Sequence, residues 1–580
     1  MKRSLKTWHA PLLAVALAIP LAASSAVNLT LDGMNSTLDN GVLKVRLGAD
    51  GSAQEVWKGG VNLITRLSGA ARDPDKNRSF YLDYYSGGVN EFVPERVSVI
   101  SQTPDQVHLA YIDDQNGKLR LEYHFIMRSN VSGIYSYVVA ANTGSTPVTV
   151  SELRNVYRFD ASRLNELFNG VRQDTPRLYS ELEALPKVQD ETWQLPDGNI
   201  YSKYDFAGYQ RATRYWGVMG NGYGAWLVPA SHEYYSGDAL KQELLVHQDA
   251  IILNYLTGSH FGTPDMVAQP GFEKLYGPWL LYINQGSDRE LLADARRRAE
   301  HERANWPYKW MDDTRYPQHR ATVSGKVQTR APHALVTLNS SSEDADIQTL
   351  GYLYHTRTNR DGQFTLHDVP AGEYRLSVYA DGGTEVGLLA QQAVHIDAGR
   401  VTLDPIATRP DEPLVWAIGQ ADRKAGEFRF GDRLRQYHWQ TEVPANLSYE
   451  IGKSRERNDW YYAQTRPGSW RILFTAHQPQ KAYTLHIALA GASNSGMTTP
   501  VSTPQLAVKL NDRSLTTLRY DNDKAIYRGA MQSGRYHEAH IPLPAGALRE
   551  GSNTLSLDLQ GGMVMYDAIT LTETPAETQP

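Results

Sequence analysis

Short runs of alternating apolar and polar residues, separated by turn residues, dominate the first half of this chain. Examples are GVLKVRLGADG at 41–51 and LRLEYHFIMRSN at 119–130. A period of two puts one face of a strand against a core and the other toward water. Turn residues at short intervals join such strands into hairpins. We therefore predict antiparallel β-structure for the first half.

Composition narrows the class of protein. The 580 residues include 34 Tyr, 46 Gly and 29 Pro, which suits strands and turns, and the length allows two to four domains. There is no cysteine, so disulfides, thiolate metal sites and cysteine nucleophiles are excluded. The formal net charge is −6 and there is no basic block, which argues against a nucleic-acid partner.

The N-terminus has the pattern of an export signal. Lys2, Arg3 and Lys6 precede an apolar stretch at 10–23 and a run of small residues that ends at Ala26. The apolar stretch is short for a membrane span, so we predict a cleaved signal peptide over 1–26. We expect a secreted protein with no membrane attachment after cleavage. The choice between the periplasm and the medium stays open.

The remaining chain divides into a helix and two further β units. Ser287 and Glu290 have the spacing of a capping box, which predicts a helix from Ser287 to Trp306. A second unit begins at Ala321, where alternating strands divided by Asp-Gly and Pro-Ala-Gly turns indicate a small β-sandwich that ends near Pro410.

A third unit of short strands is predicted to be a jelly roll. The expected domains are 27–316, 317–410 and 411–580 of an all-β, multidomain protein.

Common catalytic motifs are absent: the chain has no Walker A loop, no GxSxG and no HExxH. The glycines of GVMGNGYGAW at 217–226 do not match dinucleotide spacing and predict a tight turn into the strand GAWLVP. Asp190 and Glu191 could be taken for the two carboxylates of a glycosidase. Adjacent residues on a strand point to opposite faces, so we predict that they are not such a pair.

A basic and aromatic set in the first domain is more informative: Arg154, Arg158, Lys203, Tyr255 and His260. Each residue alone is more often structural than catalytic. Together they suit β-elimination on a uronic acid polymer, which needs a cation for the substrate carboxylate, a base for the adjacent C–H proton and an acid for the leaving oxygen.

The segments ELRNVYRF, GNIYSKY, LVPASHEYYSGDALKQELL and NYLTGSHFG occur in this order before two small β domains. The chain thereby resembles the rhamnogalacturonan lyases of polysaccharide lyase family 4 over essentially its whole mature length. The resemblance implies an N-terminal β-super-sandwich, a fibronectin type III-like domain and a C-terminal jelly roll similar to carbohydrate-binding modules. It also implies eliminative cleavage of the bond from rhamnose to O4 of galacturonate in rhamnogalacturonan I.

The resemblance also assigns roles. It places the catalytic lysine at Lys203 in a Ser-Lys-aromatic context, and the catalytic histidine at His260, five residues beyond the substrate-site residue Tyr255. It places the substrate-site arginine at Arg154. Arg158 is the second candidate for this role, and its structural alternatives are pairing with Asp160 or exposure to solvent.

Three further residues carry weaker expectations. Tyr201 precedes Lys203 on a predicted aromatic-rich strand and is expected to offer a wall to the sugar. Glu233 is expected to order a cation or a hydroxyl group, although a purely structural hairpin explains it equally well. Leu253 stands where a fungal-type member has a tyrosine, which weakens any transfer of fine substrate preference.

Lys203 is the candidate base and must have a pKa well below its usual value of about 10.4 to be neutral. His260 is then the acid, or it helps to stabilise charge. The reverse assignment stays open, because a neutral histidine is the easier base to prepare.

No dense acidic motif marks the first domain, so catalysis is expected to need no metal. A structural calcium in the third domain stays open, with Asp567 as a candidate ligand. We expect a monomer. Two rival hypotheses are a non-catalytic glycan-binding protein and a glycoside hydrolase with paired carboxylates, which would leave a saturated product.

Overall fold

A computed structural model of the chain describes residues 26–64, 78–409, 412–432, 442–494, 501–530 and 532–575. The predicted signal peptide lies outside these ranges except for Ala26. Strands dominate, so the prediction of an all-β, multidomain protein is confirmed. Among the helices described, none combines the length and apolarity that a membrane crossing requires.

The first domain contains twenty-six of the described strands and two α-helices. Its first thirteen strands are β1 (Asn28–Asp32), β2 (Asn35–Asp39), β3 (Lys44–Leu47), β4 (Ala53–Lys58), β5 (Val61–Asn62), β6 (Tyr81–Tyr85), β7 (Val89–Glu91), β8 (Arg96–Gln102), β9 (Gln106–Asp113), β10 (Arg120–Arg128), β11 (Gly133–Ala141), β12 (Val148–Val150) and β13 (Glu152–Arg158). The others are β14 (Glu166–Phe168), β15 (Gln173–Asp174), β16 (Lys187–Gln189), β17 (Thr192–Gln194), β18 (Ile200–Ser202), β19 (Ala207–Tyr209), β20 (Trp216–Gly220), β21 (Tyr223–Pro229), β22 (Gln242–Leu244), β23 (Val246–His247), β24 (Ile251–Gly258), β25 (Met266–Ala268) and β26 (Glu273–Gln285). The helices are α1 (Tyr179–Leu182) and α2 (Asp288–Ala304).

Two antiparallel sheets form a sandwich in this domain. One has nine strands in the order β15-β14-β20-β21-β26-β11-β10-β9-β8, and the other has five in the order β23-β24-β13-β6-β7. Inward-facing residues of both sheets, such as Phe125 on β10 and Leu153 on β13, belong to one large core. Alternate residues point away from it, so each sheet also has an outer face.

Helix α2 covers part of the outer face of the nine-stranded sheet. The Ser287 backbone N–H and hydroxyl both donate to Oε2 of Glu290, at 2.8 and 2.7 Å. The predicted helix and its capping box are therefore confirmed. The glycine-rich segment likewise forms the predicted turn, because Asn221 and Gly222 adopt positive φ values of 48° and 82° between β20 and β21.

The second and third domains are smaller sandwiches. The second contains β27 (Arg320–Gln328), β28 (Ala334–Asn339), β29 (Leu353–Arg357), β30 (Gln363–Pro370), β31 (Gly372–Ala380), β32 (Leu388–Ile396), β33 (Gly399–Thr402) and β34 (Ile406–Ala407). The third contains β35 (Leu414–Gly419), β36 (Leu447–Glu450), α3 (Glu456–Asp459), β37 (Ala463–Gln464), β38 (Gly468–Ala476), β39 (Tyr483–Ser493), β40 (Gln505–Leu510), β41 (Arg513–Arg519), β42 (His537–Leu543), β43 (Gly551–Gly561) and β44 (Met563–Glu573). Each domain has two sheets, of four strands each in the second and of five each in the third.

The third domain packs directly against the first. Gln189 donates to the carbonyl of Tyr527 at 2.5 Å, and Gln242 donates to the hydroxyl of Ser533 at 3.2 Å. Gly262 lies so close that a Cβ there would come within 2.4 Å of the Arg535 backbone nitrogen. A loop of the third domain is thereby held against β22 and the segment that follows β24.

Candidate active site

The outer face of the five-stranded sheet carries most of the predicted site residues. In the β13 register, Arg154 lies opposite Asp83 of β6 on one side and Tyr255 of β24 on the other. Arg158 is four residues further along β13 and therefore points to the same face. The strand period thus places both arginines and Tyr255 on one surface.

Arg154 is almost fully engaged by its neighbours. Its Nε and Nη2 atoms donate to the two carboxylate oxygens of Asp83 at 2.8 and 3.0 Å. Its Nη1 donates to the hydroxyl of Tyr255 at 3.0 Å, and Nη2 also reaches that of Tyr85 at 3.3 Å. A bidentate pair of this kind fixes the guanidinium and consumes most of its donors.

Arg158 has fewer partners. Its Nη2 donates to the hydroxyl of Tyr81 at 3.0 Å, and the guanidinium lies 5.6 Å from the centre of that ring. Among the described residues, no carboxylate lies within ion-pair distance of Arg158, and its Nε has no hydrogen-bond partner. Its charge is therefore available to an acidic ligand.

Lys203 does not lie on a strand, so that part of the prediction is wrong. Strand β18 ends at Ser202, and Lys203 begins a 3-10 turn that runs to Phe206. The Ser202 hydroxyl accepts a hydrogen bond from the Tyr204 backbone N–H at 3.3 Å, which stabilises the start of the turn. Local capping overrides the strand tendency of the aromatic residues here.

The environment of Lys203 favours its neutral form. Burial lowers the pKa of the half-buried Lys203, and the charge of Arg154 acts in the same direction. The carboxylates of Glu191, Asp190 and Glu152 offset this only in part. Within the described ranges, no carboxylate comes within ion-pair distance of the Lys203 amino group.

His260 lies between two carboxylates. Its Nδ1 is 2.7 Å from Oε1 of Glu243, and its Nε2 is 3.3 Å from Oε1 of Glu152. Its ring packs edge-on against Tyr255, with centroids 4.9 Å apart, and lies 6.0 Å from the ring of Tyr204. Both ring nitrogens therefore face carboxylates, although Nδ1 makes no hydrogen bond within the described residues, and aromatic rings flank the imidazole.

The carboxylate of Glu243 is held in its charged form. Burial raises the pKa of Glu243. The interactions with His260 and Lys241 lower it by more, so the pKa of Glu243 stays below its ordinary value. Nζ of Lys241 is 3.8 Å from Oε2 of Glu243. Burial in turn lowers the pKa of Lys241 to about 8. A buried anion is therefore kept beside His260.

The third domain contributes a cation that the sequence reasoning missed. Nη2 of Arg528 is 3.0 Å from Oδ2 of Asp190, its Nη1 donates to the His260 carbonyl at 3.4 Å, and its guanidinium lies 4.7 Å from the centre of the Tyr204 ring. Asp190 also accepts from the Tyr204 hydroxyl at 2.5 Å. No local signal marks Arg528, because only tertiary packing brings its loop to this face.

Two acidic residues beside the site, Glu152 and Glu243, could have been identified from their positions in the sequence. Glu152 is two residues before Arg154 on β13, so strand alternation places it on the same face. Glu243 falls within the segment LVPASHEYYSGDALKQELL, which carries part of the family resemblance.

Asp190 and Glu191 lie in the turn between β16 and β17, so the prediction that they lie on a strand is wrong. Glu191 instead has a positive φ of 45°.

The remaining predicted residues lie elsewhere or have other partners. Tyr201 packs against Trp193 and Phe206, and its hydroxyl accepts from the Arg177 backbone N–H at 3.3 Å. Leu253 is buried and belongs to the same apolar cluster as Tyr255. The contacts found for Tyr201 do not bring it to His260.

Glu233 lies at the junction with the second domain. Nη1 and Nη2 of Arg320 bind its two carboxylate oxygens at 2.7 and 3.1 Å. Its backbone carbonyl accepts from the Leu353 N–H at 3.0 Å. The structure therefore does not place Glu233 beside Lys203 or His260.

No group of three or more His, Asp or Glu side chains within the described ranges is arranged to hold a metal ion. Asp567, the candidate calcium ligand, is buried, and its Oδ1 accepts the backbone N–H groups of Asp422 and Lys424, both at 3.1 Å. Burial and the nearby Asp422 and Glu427 raise the pKa of Asp567. Oδ2 of Asp567 has no hydrogen-bond partner among the described residues, and the structural calcium stays a prediction.

Comparisons with known proteins agree with this architecture. Models of polysaccharide lyase family 4 match residues 328–403, as its fibronectin type III-like domain II, and residues 414–571, as its carbohydrate-binding-module-like domain III. A protein from Dickeya dadantii named rhamnogalacturonate lyase is 77% identical over 575 residues, which cover 99% of this chain and 100% of that protein. A probable rhamnogalacturonate lyase B from Aspergillus flavus is 26% identical and covers 96% of this chain and 97% of its own length. The chain therefore belongs to polysaccharide lyase family 4.

Proposed function

We propose that this protein is a rhamnogalacturonan lyase that cleaves the bond from rhamnose to O4 of galacturonate by β-elimination. One observation carries the proposal: a lysine of lowered pKa, a histidine between two carboxylates and an arginine without a carboxylate partner belong to one outer face of the first domain. The names of the relatives from Dickeya dadantii and Aspergillus flavus support the choice of substrate.

Each group has a role that follows from its surroundings. Lys203 takes the proton from C5 of galacturonate, because its lowered pKa gives a larger neutral fraction than an ordinary lysine has. The electron pair of that C–H bond forms the C4–C5 double bond, and the C4–O4 bond breaks. His260 gives its proton to the departing oxygen.

The substrate carboxylate must be neutralised for this step, because negative charge develops next to it as the proton leaves. Arg158 is our first candidate for this task, since its guanidinium has no carboxylate partner among the described residues. Arg154, although nearby, already binds Asp83. We assign Arg154 to holding Tyr255, which lines the same face.

Several wider features belong to the same proposal. The protein is exported by a signal peptide over 1–26, acts as a monomer and needs no metal for the elimination step. Its catalytic domain spans 27–316, followed by domains at 317–410 and 411–580. The substrate is the rhamnogalacturonan I backbone, and neither nucleic acid nor membrane is a partner.

The test is the ultraviolet absorbance of an unacetylated rhamnogalacturonan solution, since elimination creates a conjugated double bond and hydrolysis does not. Wild-type protein is compared with Lys203→Ala and His260→Ala, with folding verified by circular dichroism. Lys326→Ala, an exposed lysine of the second domain, is the control. We expect absorbance to rise with the wild type and the control, and the rate to fall by about 10²- to 10⁴-fold in the two site variants.

Two outcomes would contradict the proposal in different ways. New reducing ends without absorbance would mean a hydrolase with paired carboxylates. Binding of the polymer without either signal would mean a glycan-binding protein.

A further inference from the structure

The first domain has a cavity of about 730 Å³ on the outer face of the nine-stranded sheet. It lies between the ends of β10 and β11 and the segment that follows α2. Its main lining residues are Arg128, Tyr135, Trp306, Tyr308, Lys309 and Trp310. A volume of this size is typical of small-molecule and sugar sites in proteins.

The cavity and the candidate active site lie on opposite sides of the sandwich. Tyr135 and Tyr308 belong to the apolar cluster beneath α2, whereas Tyr255 belongs to the cluster on the outer face of the five-stranded sheet. The large shared core separates these two clusters. A ligand in the cavity would therefore not contact Lys203 or His260.

Aromatic rings form much of the cavity wall. Trp310 stacks on Tyr308 with ring centroids 4.7 Å apart, and Tyr135 meets Trp310 edge-on at 4.9 Å. Trp306 is half-buried, its buried indole Nε1 has no hydrogen-bond partner in the part of the chain that the structure describes, and the guanidinium of Arg320 lies 4.3 Å from the centre of its ring. Rigid aromatic walls of this kind suit the C–H faces of a sugar.

The charge in the cavity is positive and not compensated. Arg128 is half-buried, and its guanidinium lies 4.9 Å from the centre of the Trp310 ring. No described carboxylate is within ion-pair distance of Arg128, and its Nε has no hydrogen-bond partner. Lys309 adds an exposed cation at the rim.

The carboxylate in the cavity wall does not neutralise these cations. Glu302 accepts hydrogen bonds from the hydroxyls of Tyr135, at 3.0 Å, and Tyr308, and it pairs with Arg298 at 2.6 Å. The guanidinium of Arg128 is only half-buried, and its terminal nitrogens are not among the buried unpartnered atoms, so they can bind water or an anion. The cation–π contact with Trp310 leaves the N–H donors at its edge unused.

We propose that this cavity is a second, non-catalytic binding site for a uronate-bearing segment of acidic polysaccharide. Arg128 binds the uronate carboxylate, Lys309 attracts the polymer, and Trp306 and Trp310 line the sugar. The identity of the polymer rests on the proposed function. The site holds a long chain to the enzyme while another part of that chain, or a neighbouring chain, reacts on the opposite face.

The experiment measures binding without turnover. Full-length protein carrying Lys203→Ala is titrated with rhamnogalacturonan polymer by calorimetry, alone and with Arg128→Gln, Lys309→Glu or both. Lys326→Glu, which makes the same charge change on the exposed surface of the second domain, is the matched control. We expect the double variant to bind the polymer about tenfold more weakly or worse, and the control to bind unchanged.

Two further measurements separate this proposal from the proposed function. In the otherwise wild-type protein, Arg128→Gln and Lys309→Glu should leave turnover of short oligosaccharides unchanged, because these fill the catalytic face alone. The double variant and its parent should bind carboxyl-reduced polymer with equal affinity. Equal affinity of parent and double variant for the acidic polymer would overturn the second site, as would an equal loss of affinity for the reduced polymer. A failure of the lyase proposal would appear instead as a lack of unsaturated product from the wild type.

Discussion

The candidate active site and the junction between the first and second domains both hold buried cations, but they use them differently. At the junction, which we define by Arg211, Lys274 and Arg320, each cation already donates to protein oxygens, although Nε of Arg211 has no partner among the described residues. Arg211 donates to the carbonyls of His232 and Gly237 at 2.6 and 3.1 Å. Lys274 donates to the carbonyl of Gly351 at 2.7 Å, and Arg320 binds a carboxylate through two nitrogens.

At the candidate site, Lys203 and Arg158 keep donors that no described carboxylate uses. Burial lowers the pKa of Lys203, but it also lowers the pKa of Lys274, which is more deeply buried. A shifted pKa therefore does not by itself distinguish a functional lysine from a structural one. The unused hydrogen-bonding capacity beside a ligand-accessible face makes the distinction.

Among the substitutions that test this comparison, Arg158→Gln has the largest expected effect on activity, because it removes the available charge but keeps a polar side chain. We expect eliminative activity to fall by about 10²- to 10³-fold, because the carboxylate charge is no longer offset in the transition state. Thermal unfolding should be close to that of the wild type. The measurement is initial absorbance rate against substrate concentration, and near-normal activity would transfer this role to another cation.

Arg154→Gln should have the opposite pattern of effects, with its main effect on stability. It leaves Asp83 buried without its bidentate partner, so the free energy of unfolding should fall by about 3–5 kcal/mol. Denaturant titration measures this loss. A fully stable Arg154→Gln protein would show that the pair with Asp83 is not structural.

Glu233→Ala tests the junction directly. It leaves the guanidinium of Arg320 buried without its carboxylate, and we expect unfolding to become easier by about 3–5 kcal/mol. The activity of the folded fraction should match the wild type. An altered KM with unchanged stability would instead support the sequence-based expectation that Glu233 contacts the substrate.

The smallest effect is a pH shift caused by Glu191→Gln. The carboxylate of Glu191 raises the pKa of Lys203, so its removal lowers that pKa further. If neutral Lys203 is the base, the rate rises with pH as Lys203 loses its proton, and the rising limb of the profile moves to lower pH. The maximal rate should stay within about fivefold of wild type.

Glu181→Gln is the control for this comparison, because Glu181 is exposed and is not among the main charges that shift the pKa of Lys203. A rising limb that moves to higher pH in Glu191→Gln, or does not move, would argue that Lys203 is not the base.

Much of the fold could be predicted because its signals are local. Alternation over 119–130 predicted the strand β10, and the spacing of Ser287 and Glu290 predicted the start of α2. The turn at Lys203 was missed, since one hydroxyl of Ser202 decides it against the strand tendency of its aromatic neighbours. The shared face of site residues could be predicted where strand alternation sets the direction of the side chains, as for Arg154 and Arg158 on β13.

The sequence by itself determined the alternating strands, the capped helix and the group of basic and aromatic residues that suits acidic-sugar chemistry. Each depends on residues close together in the chain, where the strand period or a cap sets the geometry. Only the tertiary structure decided that Glu233 pairs with Arg320 at a domain junction and that Arg528 reaches the candidate site from the third domain. Those outcomes depend on which partners packing brings within hydrogen-bonding distance, and chain spacing carries no information about them.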